Sequence, residues 1–253
     1  MDALYIIERL PILTTLLAVV FVFDLFRHWN EKRTTYLLWW GLGVVFYGLG
    51  TLAESINALA GWSVFTLKFW YIVGALLGGW PLAQGTVYLL MKRKFADITT
   101  VIFLVFITVA SVFIVLSPVT VPENFDGRLS GSVMDWEWVR LFSPFVNGYA
   151  FFFLVGGAIY SAVKLFGRGI KDKPFAGNIL IAIGGLLPGI GGSFTRAGVV
   201  EALYITEVFG LACIYAGYRM VRSWRRAQQQ KERESIEVSS TDQSVDKPTR
   251  GAG

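Results

Sequence analysis

The 253-residue chain is 54% hydrophobic and only 16% charged, with 27 glycines and a formal net charge of +5. Soluble domains carry about 25% charged residues, so this chain lacks the polar surface to cover itself in water. A soluble enzyme, a disordered chain and a disulfide-stapled secreted domain are excluded; the single Cys213 closes no internal disulfide.

The composition reads as an all-α polytopic membrane protein. A spanning helix needs about 20 mainly apolar residues. Seven stretches meet that length, at 4–26, 35–57, 64–91, 97–117, 139–165, 175–197 and 200–222. The first lacks a basic leader and a small-residue cleavage site, so it is expected to be a retained helix. Barrel strands alternate over about ten residues, whereas these runs are continuous.

Most of the 23 basic residues fall on one side of this layout. Arg27, Lys32 and Arg33 follow the first helix, Lys92, Arg93 and Lys94 the third, and Lys164, Arg168, Lys171 and Lys173 the fifth. The series from Arg219 to Arg250 follows the seventh. The positive-inside rule then puts the N-terminus outside and the C-terminus in the cytoplasm. Trp29, Trp39 and Trp224 fall near the inner boundary, and Trp62, Trp136 and Trp138 near the outer one. Trp80 falls mid-membrane in helix three. The positive charge is therefore a topology signal, with no call for nucleic acid as a partner. The expected setting is a multi-pass protein of the cell inner (plasma) membrane, with the lipid bilayer as its first partner.

Residues 118–138 form the one long loop, rich in Pro, Gly, Asp and Glu. Its Asp-Gly and Ser-Gly pairs are turn signals; it reads either as a lid or small hairpin over a pocket, or as an ordinary solvated loop. Beyond Arg222 the sequence is expected to continue helix seven by three or four turns. From about Val238 it lacks an apolar face and reads as disordered. The domains are thus 1–222, seven-helix membrane domain, and 223–253, basic extension and tail.

Helix three carries Gly74, Gly78, Gly79, Pro81 and Gln84; helix six carries Gly184, Gly185, Pro188, Gly189 and Ser193. A central proline removes a backbone hydrogen bond near the midplane, and lipid offers the freed carbonyl no donor. Two kinks at one depth point to a binding cavity, as between the broken helices of transporters. Alternatively, the small faces Gly74/Gly78 and Gly185/Gly189/Ser193 serve helix packing alone.

Ionisable groups inside a membrane are costly and mark function by default. Glu54, Lys68, Arg196, Glu201 and Glu207 all fall in the outer half. The expected pocket combines Glu54, Lys68, Trp80, Pro81, Gln84, Pro188, Arg196, Tyr204 and Glu207, with Glu207–Arg196 as its leading pair; the alternative is a structural ion pair. Asp24 reads as an interfacial residue. Arg219, Arg222, Arg225 and Arg226 adjoin the inner leaflet, where each charge contributes about 1 kcal/mol of attraction to anionic lipid. They are candidates for docking lipid or a partner, or act as topology determinants only.

Residues 200–222 contain no lysine for a retinal Schiff base, and the one histidine, His28, leaves haem and zinc chemistry without ligands. No nucleophile elbow, phosphate loop or HExxH helix is present. No enzymatic activity, cofactor or metal is expected, and catalysis would have to rest on carboxylates alone.

Three stretches carry a family resemblance. They are Trp40–Glu54 (WGLGVVFYGLGTLAE), Lys68–Leu90 with its KFWYIVGALL opening and central Pro81, and Asn178–Tyr218 with NILIAIGGLLPGIGGSF. Over residues 1–222 this order of features resembles the bacterial seven-transmembrane sensory module found N-terminal to some histidine kinases and diguanylate cyclases. The resemblance implies an outward-facing pocket read out by helix motions. It also implies output through a separate cytoplasmic or membrane signalling partner, because no kinase or cyclase follows helix seven here. The leading expectation is a membrane receptor or sensor for an unidentified small molecule. A small-molecule transporter and a structural subunit or assembly factor of a membrane complex are the alternatives.

Overall fold

The computed structural model describes residues 6–165 and 173–245. Among these residues the protein is all-helical, apart from one isolated antiparallel bridge between Val119 and Met134. Six helices are long and apolar enough to cross a membrane: α1 (Leu10–Lys32), α2 (Thr35–Ala60), α3 (Val64–Leu90), α4 (Arg93–Leu116), α5 (Glu137–Lys164) and α6 (Lys173–Thr195). That is the build of a multi-pass membrane protein. The expected seventh span lies within α7 (Glu201–Val245), a single 45-residue helix. It is not among the six, since Glu201, Glu207 and Arg219 dilute its apolar stretch.

The helices close into a ring in which α1, α2, α3, α5, α6 and α7 each pack on the next and α7 returns to α1. Helix α4 stands outside the ring against α3 and α5. Phe23, Phe65, Phe145 and Phe152 point outward and are at least 70% exposed, as side chains facing lipid would be. Inside the ring, one aromatic core gathers Trp70, Tyr71 and Trp80, and a second gathers Phe21, Tyr47 and Tyr218.

Helix α3 breaks near its centre. An α-helical turn (Val64–Trp70) widens into a π-helical segment (Tyr71–Leu76), and a new helix starts at Trp80 with Pro81 in its first turn. Pro81 has no N–H to continue the ladder, so it opens a helix more readily than it extends one. Helix α6 runs on past Pro188, which lies inside it and withdraws one backbone hydrogen bond without ending the helix. A further irregularity falls in α5, as a π-helical segment at Phe151–Val155. Of the two central prolines, only Pro81 opens a new helix, and the widening in α5 was not expected from the sequence.

Glycines set the closest seam, between α6 and α7. Gly177, Gly184 and Gly191, spaced by seven, face Gly217, Gly210 and Leu203, which run in the opposite direction at the same spacing. A Cβ added at Gly184 would stand 2.5 Å from the carbonyl oxygen of Gly210, so only hydrogen fits there. The expected face of Gly185, Gly189 and Ser193 is not this seam. Gly185 adjoins Leu154 of α5, and Gly189 has open space beside it. On α3, Gly74 meets Gly50 of α2.

Helix ends shift where charges find partners. Helix α1 runs to Lys32, beyond the expected residue 26, and α4 starts at Arg93 rather than residue 97. In α1 the added turns carry His28 and Glu31, which with Asp24 just before them meet α7; in α4 Arg93 pairs with Asp97. Helix α7 continues to Val245, past the expected start of disorder at Val238. The tail beyond residue 245 lies outside the described residues.

Candidate functional site

The sequence-selected residues separate into two ends of the bundle. At one end the loop between α4 and α5 folds over the helices. Its Leu129, Val133 and Met134 are buried, and backbone bonds Thr120 N to Val133 O and Asp135 N to Pro118 O close its base. Asn57 Nδ2 donates to Gly127 O at 3.0 Å, Trp62 meets Phe125 edge to face, and Arg128 pairs with Glu201 at 2.7 Å. The loop is therefore a packed cap that connects α2 with the start of α7.

Beneath this cap lie two acids. Glu54 is 2% exposed, and the indole Nε1–H of Trp70 donates to its Oε1 at 2.8 Å. The carboxyl of Glu207 lies within hydrogen-bonding reach of that of Glu54. Each carboxyl retains a buried Oε2 without a donor among the described residues. Tyr47 donates its hydroxyl to the backbone oxygen of Glu207 at 3.1 Å, and Tyr204 is buried in the neighbourhood of both acids. Helix positions explain the convergence: Tyr47 and Glu54 are seven residues apart, two turns along one face of α2.

The other selected residues have separate tasks. The Lys68 ammonium donates to Val115 O and Ser117 O, at 2.7 and 2.8 Å, and caps the end of α4. Gln84 is fully buried toward the opposite end, because α3 carries it past the break to the α3–α4 turn. Its Nε2 donates to Ala96 O and Thr100 Oγ1, both at 2.8 Å, and its Oε1 accepts from Tyr149 at 2.6 Å. It ties α3, α4 and α5 together and does not floor the acid pair. Trp80 is buried between Trp39 and Phe103, its Nε1 without an acceptor. Pro188 packs on Gly210. The Arg196 side chain lies outside the described residues.

An apolar cleft of about 640 Å³ opens between α2, α3 and α4, walled by Trp39, Phe46, Leu77, Trp80 and Leu104. A smaller one of about 60 Å³ lies near Phe21, Trp40, Ser161 and Tyr218. Of the selected residues whose side chains are described, Trp80 alone borders either of these two. Of the expected polar cluster, Glu54 and Glu207 come within hydrogen-bonding reach of each other, whereas Gln84 lies toward the opposite end.

Far along α7 the basic residues meet α1. Arg222 Nη1 donates to Asp24 Oδ1 at 2.6 Å, and Arg219 reaches Asp24 Oδ2 at 3.3 Å. Arg226 donates to Glu31 Oε2 at 2.8 Å, which Arg222 also approaches at 3.5 Å. His28 Nδ1 and the Tyr218 hydroxyl are 2.8 Å apart. Sequence spacing alone did not show this clasp, since its halves are about 195 residues apart. Arg225 is exposed and stands apart from these ion pairs. No protein-family model matches the chain, and no curated protein matches it in sequence.

Proposed function

We propose that this protein is a membrane sensor in which α7 carries a change at Glu54 and Glu207 to the opposite side of the bilayer. The supporting observation is continuity: one helix holds Glu207 near its start, the clasp to α1 at Arg219–Arg226, and an exposed extension beyond. At 1.5 Å per residue its 45 residues span about 68 Å, longer than the roughly 30 Å hydrocarbon core. With α7 counted as a seventh span, the basic turns lie on one side, giving an outward N-terminus and a cytoplasmic extension.

A ligand shifts such a helix only by binding two arrangements with different affinity. The acids offer that difference, because their mutual contact depends on what neutralises them. The extension, rich in Gln, Lys, Arg and Glu, would then present a different surface to a separate signalling partner in the cytoplasm. A cell inner membrane is the proposed location.

Hydrogen exchange of residues 223–245 in lipid nanodiscs tests the relay. Glu207→Gln, which neutralises one acid without changing its shape, is expected to alter exchange protection there severalfold. Identical exchange in the variant and the parent would contradict it.

The second reading is a small-molecule transporter, favoured by the break at Pro81 and the buried acids. Flux into proteoliposomes that ceases in Glu207→Gln would favour this reading over the sensor.

A further inference from the structure

The contact between Glu54 and Glu207 joins groups that, as bare anions, only accept hydrogen bonds. Glu54 Oε1 is already used by Trp70, and both Oε2 atoms are buried without a donor. Other charged or titratable groups face this spot from each neighbouring element. Among the described residues they are Tyr47 on α2, Arg128 in the cap, Glu201 and Tyr204 on α7, and Glu8 before α1. Each nearby described cation is committed elsewhere: Lys68 to the end of α4, and Arg128 to Glu201 and Asp126. Among the described residues, the ion pairs leave both inner carboxyls out.

Neither cleft reaches these acids, and their carboxyls are in direct reach of each other. Two carboxyls at such range are stable when they share one proton, and they repel when both are ionised.

We propose that Glu54 and Glu207 form a proton-binding site, in which one shared proton ties α2 to α7. Breaking the O–H bond passes the proton to water, leaves two carboxylates and removes the tie. The proton site stands on the acid contact alone; its role as a signal rests on the proposed function.

Infrared difference spectroscopy on the full chain in liposomes tests the site. Raising the pH is expected to abolish a protonated-carboxyl C=O stretch in one step. Glu54→Gln and Glu207→Gln should each lose that titrating band. Trp70→Phe, which withdraws the donor from Glu54 Oε1 yet keeps an aromatic ring in place, should move its midpoint to higher pH. It serves as an independent check if either glutamine variant does not fold. A titrating band that survives both glutamine substitutions, or a midpoint indifferent to Trp70→Phe, would overturn the proton site. A band that behaves as expected, with exchange at 223–245 unaffected by pH, would keep the site and remove its signalling role. The reverse pattern, exchange responding to Glu207→Gln without any titrating band, would overturn the site and leave the relay standing.

Discussion

Arg128 donates to Glu201 across 2.7 Å and thereby fastens the α4–α5 loop to the first turn of α7. The same arginine reaches Asp126 at 3.3 Å, so one side chain both shapes the loop and anchors it. Glu201 gains twice, because a carboxylate in a first helical turn also meets the positive end of the helix dipole.

Arg128→Ala should therefore free the cap without unfolding the bundle. The pair is partly exposed, and its loss is worth about 1 kcal/mol. Limited proteolysis should cut within 118–136 severalfold faster, while the thermal midpoint of the helices hardly moves.

The α6–α7 seam predicts opposite outcomes for two glycines on one helix. Gly184→Ala forces a methyl against the Gly210 carbonyl, and overpacking of this kind costs about 1–3 kcal/mol. Gly189→Ala meets nothing within 4 Å and should be neutral, or stabilising by about 0.5–1 kcal/mol. Thermal unfolding in a matched detergent distinguishes them.

The clasp predicts a similar contrast among the arginines. Arg222 is 8% exposed and engages both Asp24 and Glu31. Arg222→Met should destabilise by about 2 kcal/mol, because Asp24 loses its 2.6 Å charged partner and keeps only the longer contact to Arg219. Arg225→Met, at an exposed position, should fall within about 0.5 kcal/mol of the parent. Combining Arg222→Met with Asp24→Asn should cost less than the sum of the two single changes.

Lys68 caps a helix end by donating to two carbonyls. Lys68→Met should cost about 1–2 kcal/mol and speed hydrogen exchange in the last turn of α4, Phe113–Ser117.

The helices themselves were legible because an apolar run of spanning length has few other uses. Their ends were not. The charges at Asp24, His28 and Glu31 look interfacial until their partners on α7, at Tyr218 to Arg226, are in place. Scarcity of charge also singles out Glu54 and Glu207, yet composition could not say that they meet each other. Gln84 illustrates the limit of reading depth from residue type. It sits six residues before the end of α3, and counting from that end would have separated it from Glu54. The seven-residue spacing of Gly177, Gly184 and Gly191 was present in the sequence, overshadowed by the denser Gly-Gly pairs around Pro188.

The central claim is that α7 transmits a change at the acid pair to its far end. Spin labels at Arg27 on α1 and Gln229 on α7, in a Cys213→Ser background, report the distance between those helices by pulsed electron resonance in liposomes. Neutralising the pair with Glu207→Gln is predicted to shift that distance distribution, and Arg225→Met, remote from the acids, to leave it alone. A distribution that stays the same in Glu207→Gln would contradict the account.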